Sequence, residues 1–196
     1  MAKIKSGNNT TKKEAIIEQA AFLFKTKGYP AASMRELAIA LGVEAPSLYN
    51  YIGSKSELLQ TICFNVASEF SVNLDRVENS LEGTIANVES IIRFHIQTML
   101  SRFNEVYVAN HEWKHLKEPY FSDFLHFRRD YEKRLAILIE AGIEKKEIKN
   151  LHPYVTVLTI LSAVRGLEFW HGHKKDITAQ ELENDMVNHL LHGIVK

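Results

Sequence analysis

The run of residues from Ser33 to Leu58 admits very few folds. A capped amphipathic helix, a glycine turn, a short helix opened by proline and a third capped helix follow in close succession. Ser33 suits an N-cap, and Glu36 three residues on completes a capping box that ties off the first free amides. Met34, Leu37, Ala38 and Leu41 recur at helical spacing and define one buried stripe. Gly42 comes directly after them, where a helix stop needs tolerance of positive φ. Val43 is expected to fill the corner beneath that turn. Pro46 belongs in a first helical turn, because its missing N–H would be unpaired there anyway. Leu48 and Tyr51 are expected to point inward, leaving Glu44, Ala45, Ser47, Tyr49 and Asn50 outward. Gly53 and Ser54 then close one helix and open another, with Ser54 and Glu57 as a second capping box.

This is the layout of a helix-turn-helix. The outward face of its second helix is slim and polar, with no run of carboxylates to repel phosphate, as entry into a major groove requires. Ser33 and Arg35, at the start of the preceding helix, join Glu44, Ala45, Pro46, Ser47, Tyr49 and Asn50 as candidate DNA contacts. Lys55 is expected to grip a phosphate together with the amides of the helix that it opens. Spacing alone also fits a three-helix packing unit with solvated faces and no nucleic acid partner.

Charge decides between these readings only after it is divided along the chain. The 196 residues carry 24 Lys and Arg against 24 Asp and Glu, a net charge of zero. Residues 1–58 hold a surplus of three positive charges and the remainder an equal deficit, with all nine His in the second part. Positive charge therefore gathers at the helix-turn-helix end. So small a surplus implies weak binding by one copy and far stronger binding by two on one site.

The segment Thr11–Leu58 resembles the N-terminal domain of the TetR family of bacterial repressors. The resemblance rests on an Ala-rich first helix ending in Phe24, on Lys27-Gly28-Tyr29, on Ser33 and on Leu37-Ala38. Gly42-Val43, Leu48-Tyr49 and Ser54-Lys55 followed by Leu58 complete it. Ile52 stands where many members carry Phe, and Ala45-Pro46 replaces a commoner polar residue and Gly. The resemblance implies an all-α chain: a polar tail over residues 1–9, a three-helix helix-turn-helix DNA-binding domain over 10–55, and a larger helical effector-binding and dimerisation domain over 56–196. It also implies a homodimer on a palindromic double-stranded operator, released by a small-molecule effector, with no cofactor; a cytoplasmic location is expected from the lack of an apolar leader.

The second part is helical throughout. Long helices are expected from Lys55 to near Asn79, over Ile85–Met99, around Glu105–Leu116, and from Phe121 to Ile143 with an end near Gly142. Segment 153–170 is apolar on nearly every side and is expected as one helix, covered on one flank by its own subunit and on the other by a partner copy. The final helix (Leu182, Met186, Leu190, Leu191, Ile194) is expected beside it in a four-helix interface. A purely internal core helix is the alternative. Candidate effector contacts are Phe94, His95, Met99, Tyr107, Trp113, Phe127, Tyr131, Phe169 and Trp170. Three runs resemble family members that control lipid or aromatic catabolism and answer to acyl-CoA thioesters. These are Tyr49-Asn50-Tyr51-Ile52 with Ser54-Lys55, His111-Glu112-Trp113 with Leu116, and Phe169-Trp170. They imply an apolar acyl or aromatic effector, with Arg93, Arg128 or Arg165 facing any anionic group.

One motif points elsewhere. His111-Glu112-Trp113-Lys114-His115 satisfies H-E-x-x-H, in which two His one helical turn apart bind Zn and the Glu serves as general base. A zinc metallopeptidase is therefore the alternative function, although no third ligand is singled out among His126, Asp130 and Glu132. His171-Gly172-His173 reads as a solvated loop. The single cysteine, Cys63, excludes an internal disulfide and follows Ile62 in a helix expected to be buried. No apolar leader and no apolar run of membrane length is present, so no membrane partner is expected.

Overall fold

The computed structural model describes residues 12–170 and 177–195. The polar tail and His171-Gly172-His173 lie outside the described residues. The helices are α1 (Lys12–Lys27), α2 (Met34–Leu41), α3 (Ala45–Leu48), α4 (Lys55–Glu78), α5 (Thr84–Ser101) and α6 (Phe103–His111). A 3-10 turn (Trp113–His115), α7 (Tyr120–Glu144), α8 (Pro153–Arg165), α9 (Leu167–Trp170) and α10 (Ala179–Ile194) complete the chain. Among the described residues there is no strand, only an isolated antiparallel bridge between Ile148 and Val195.

These helices fall into two units, neither continuous in sequence. The first holds the described residues up to Ala67 together with Asn104–Leu125; the second holds Ser68–Phe103 and the described residues from His126 onward. The first unit thus includes α6 and the 3-10 turn, which the sequence reading assigns to the effector domain.

In the first unit, Ile16, Ile17, Ala20, Ala21 and Phe24 form the buried stripe of α1, and Leu37 and Ala38 that of α2. The Ser33–Glu36 capping box is complete: Glu36 N–H donates to Ser33 Oγ at 3.2 Å, and Ser33 N–H donates to the Glu36 carboxylate at 3.0 Å. Gly42 closes α2 in the left-handed region at φ 67°, where a Cβ is disfavoured. The start of α4 differs from expectation in one bond. Ser54 Oγ accepts from Glu57 N–H, but the Glu57 carboxylate accepts from Gly53 N–H at 2.8 Å rather than closing the box.

Two inward assignments change. Tyr51 and Val43 are exposed, whereas Ile52 is 1% exposed. The reason is the length of α3. It stops at Leu48, and the N–H groups of Tyr51 and Ile52 both donate to the Leu48 carbonyl, at 2.9 and 3.0 Å. This tight turn replaces helical periodicity, so the residue brought back inward is Ile52. At the other turn, Gly42 swings Val43 away from the corner.

In the second unit α8, α9 and α10 all pack against α5. Its core comprises Val88, Ile91, Ile92 and Ile96 of α5 with Leu135 and Ile139 of α7, Val157, Ile160 and Val164 of α8, and Val187 of α10. α7 runs one residue beyond the expected range at each end, from Tyr120 to Glu144. The missing side chain at Gly142 leaves room for Ile148, which folds back against the helix. Segment 153–170 comprises α8 and α9 rather than one helix, with the break at Gly166.

Candidate DNA interface and effector region

The short helix α3 is fixed from beneath by Leu48 and Ile52, each 1% exposed. Its opposite side carries Glu44, Pro46, Ser47, Tyr49 and Asn50, all exposed, and half-buried Ala45. Arg35 on α2 is also exposed, while Ser33 has its hydroxyl engaged in the α2 cap. The proposed contact residues thus lie along α2 and α3 of one unit. Tyr51 joins them on exposure alone. The period of a four-residue helix was too short to indicate it.

Lys55 departs from expectation. Its ammonium donates to the carbonyls of Tyr29 (2.9 Å), Pro30 (3.3 Å) and Ala32 (2.8 Å), and stands 4.5 Å from the centroid of the Tyr29 ring. An ammonium has three donors, and three carbonyls take them. Lys55 therefore fastens the corner before α2 instead of reaching outward for a phosphate.

The H-E-x-x-H pattern also takes a different form from the one zinc chemistry needs. α6 ends at His111, and His115 lies in the 3-10 turn beyond, so the two imidazoles do not occupy successive turns of one α-helix. His111 faces the ring of Tyr107 at 4.4 Å, whereas His115 stacks on Tyr29 at 5.5 Å. The Glu112 carboxylate accepts from the Tyr29 N–H at 3.2 Å. Among the described residues, no group of three or more His, Cys, Asp or Glu is placed to hold a metal ion.

The candidate effector residues divide between the two units. In the second unit Phe94, His95 and Tyr131 gather around Phe70, which sequence reasoning missed. Phe70 meets Phe94 edge-on at 5.6 Å, stacks on His95 at 4.3 Å and lies 6.1 Å from Tyr131. Its helical spacing from Leu59, Ile62 and Val66 was the available signal. His95 Nε2 is hydrogen-bonded to Tyr131 Oη, and Met99 is buried nearby on α5. An open groove of about 470 Å³ runs along α4 and α5 past Asn73, Arg76, Glu89, Arg93, Phe94 and Gln97. Arg93 is held by Glu89 and by buried Glu183 of α10, at 2.8 and 2.9 Å, and Gln97 also donates to Glu183. Those carboxylates raise the Arg93 pKa further and keep it charged.

Tyr107 and Trp113 belong to the first unit, where Trp113 lies against Phe121 and Phe124. Phe169 is 79% exposed and does not line an interior site. The single turn α9 buries Leu167 and so aims Phe169 outward. Phe127 is exposed at 41%, and Trp170 is half-buried.

Residues 16–62 match the family described as bacterial regulatory proteins, tetR family. Residues 83–194, more than half of the chain, match the tetracyclin repressor-like C-terminal domain. The HTH-type transcriptional repressor KstR2 of Mycobacterium tuberculosis is 22% identical over 203 residues, covering 97% of this chain and 96% of the relative. Its solved structure, the ketosteroid transcriptional regulator KstR2, superimposes with a TM-score of 0.87 at 19% identity, over 97% of this chain and 98% of that one. AibR in complex with isovaleryl coenzyme A and operator DNA gives 0.78 at 24% identity, over 92% and 98%. No described helix is long and apolar enough to cross a membrane.

Proposed function

The chain belongs to the TetR family of bacterial regulatory proteins, and from that premise we propose that it is a homodimeric repressor of a palindromic operator, released by a small amphiphilic effector. One observation carries the DNA reading: Ser47 on the slim helix α3 and Tyr49 and Asn50 in the turn that follows stand exposed around the buried Leu48 and Ile52. A helix so held presents side chains to base edges without a bulky flank to keep it out of the groove.

The dimer is argued from α8. One side, Thr156, Val157, Ile160 and Val164, is buried on its own unit, while Tyr154, Val155 and Leu158 are each more than half exposed. Leu182, Met186 and Leu190 of α10 are only half-buried. A second copy covering these flanks removes apolar surface from water. Reading a palindrome requires the two α3 helices of such a dimer to stand about one duplex turn apart, ~34–36 Å.

The effector reading rests on Phe94, which is shared by the aromatic cluster around Phe70 and the polar groove along α4 and α5. An acyl or aromatic body against that cluster and a polar head along the groove past Arg76 would fill both. This is the chemistry of a coenzyme A thioester, the ligand class of AibR. DNA and effector favouring different arrangements weaken one another, typically by ~1–3 kcal/mol.

Selection of bound duplexes from random DNA tests the proposal. Inverted repeats among the winners are expected, with binding that falls steeply with salt. Failure to enrich any symmetric sequence refutes it.

A further inference from the structure

We propose that Glu112 and His115 act through Tyr29 as positioning residues for the DNA-reading helices, a role that rests on the DNA reading above and adds to it. The unusual arrangement is at Tyr29, in the corner between α1 and α2, where three distant segments of the first unit meet on one residue. The Tyr29 backbone N–H donates to the Glu112 carboxylate at 3.2 Å, and its carbonyl accepts from Lys55 at 2.9 Å. One contact on its ring is the His115 imidazole, stacked at 5.5 Å with an interplanar angle of 23°; a second is the Lys55 ammonium, 4.5 Å from the centroid. Phe24 closes the edge at 5.2 Å. His115 Nε2 in turn lies 3.4 Å from the Glu112 carboxylate.

Packing alone does not require this chemistry. The Glu112 side chain is only 13% exposed, and a carboxylate so enclosed is costly unless its bonds are made. An apolar side chain would fill the space as well. What the carboxylate adds is direction. A bond to one backbone amide fixes the height and angle of the corner, and the His115 ring limits its tilt. That corner leads directly into the reading helices. Ala32, 3% exposed, donates its N–H to the Gly28 carbonyl at 3.2 Å, and Ser33 beside it caps α2. A shift at Tyr29 is therefore passed to α2, and through the Gly42 turn to α3. Small misplacements there are costly, because base contacts demand hydrogen-bond geometry.

The experiment uses the full chain and the duplex that wild type selects from random DNA. Glu112→Ala and His115→Ala are compared with Glu112→Gln, which keeps an acceptor for the Tyr29 amide, and His115→Phe, which keeps the stack. The alanine variants should bind the selected duplex roughly tenfold more weakly, as loss of one charge-assisted bond implies. Their salt slope should be shallower, since misplaced helices make fewer phosphate contacts. The conservative variants should recover both. Hydrogen exchange of the Met34–Leu48 amides in free protein should quicken in Glu112→Ala and not in Glu112→Gln. Wild-type affinity, slope and exchange in both alanine variants would overturn the inference. If wild type selects no duplex, the DNA reading falls, while exchange still decides whether Glu112 orders α2 and α3. Should Glu112→Ala fail to fold, His115→Ala decides by the same readouts.

Discussion

His95 Nε2 lies 2.7 Å from Tyr131 Oη, with the Phe70 ring stacked across the imidazole at 4.3 Å. Burial pushes the His95 pKa down to about 4 and that of the Tyr131 hydroxyl up. A strip of each residue remains accessible, but His95 Nε2 is spent on the tyrosine. At neutral pH the pair is an uncharged hydrogen-bonding group set in an aromatic wall. It can orient a carbonyl or hydroxyl but offers no cation to an anionic head, for which Arg76 of the groove is the candidate.

The same pair makes stability depend on pH. An unfolded histidine titrates near 6.5, whereas folded His95 resists protonation down to about 4. Between these values the unfolded chain binds the additional proton, so stability is complete above pH 6.5 and is lost progressively as pH falls toward 4. The loss is on the order of 2–3 kcal/mol before allowance for solvent at the ring edge. His95→Gln keeps hydrogen-bonding atoms but does not titrate. Urea unfolding of both proteins at pH 7 and pH 5 should show a smaller acid loss in the variant. Equal losses would mean that His95 is not the titrating group.

The apolar flank of α8 predicts an assembly defect separable from folding. Leu158 is 52% exposed, so Leu158→Glu removes little from the core of its own unit. In a dimer it would place two carboxylates together in an apolar seam. Sedimentation should report a monomer with wild-type helical content, and affinity for the selected palindrome should fall by about a hundredfold or more as avidity is lost. A variant that stays dimeric assigns the interface to another surface.

The helix-turn-helix was legible because its signals are local. The cap at Ser33, the stop at Gly42 and the Pro46 start each depend on a few neighbours, and each stands where those neighbours require. Errors arose where a short or distant contact overrode period. The turn after Leu48 exchanged Tyr51 for Ile52, and an apolar stretch broke at Gly166. The inward partners of Lys55 and Glu112 escaped the sequence for a different reason. Those partners lie 26 and 83 positions away, so spacing within either residue's own segment carried no sign of the Tyr29 corner. Likewise the grouping of Phe70 with His95 and Tyr131 depends on which helix faces meet, and periodicity marks a face without naming its neighbour.

Gly142 gives a test of close packing inside α7. A Cβ there would lie 2.6 Å from Ile148 Cδ1, 2.9 Å from its Cγ1 and 3.0 Å from Thr84 Cγ2. Both neighbours are buried, Ile148 at 1% and Thr84 at 3% exposure, so neither can swing into solvent. In an exposed helix Gly→Ala gains up to ~1 kcal/mol. Here overpacking should outweigh that gain, giving Gly142→Ala a net destabilisation of about 1–2 kcal/mol. Thermal unfolding should show the midpoint falling by several degrees, whereas a rise would mean that the Ile148 loop yields freely.

The reading face can be resolved residue by residue. Asn50 and Ser47 are exposed beyond Leu48, and Arg35 is exposed on α2, without an ion-pair partner among those described. Base-edge contacts carry sequence preference, and phosphate contacts carry affinity alone. Asn50→Ala should therefore cost roughly 1–3 kcal/mol at one base pair of each half-site and flatten the preference there. Arg35→Ala should weaken every duplex alike and reduce the salt slope by about one per copy. Competition against all single-base variants of the selected duplex separates the two outcomes. Uniform loss with Asn50→Ala would remove Asn50 from base readout, and loss at one base with Arg35→Ala would move Arg35 into it.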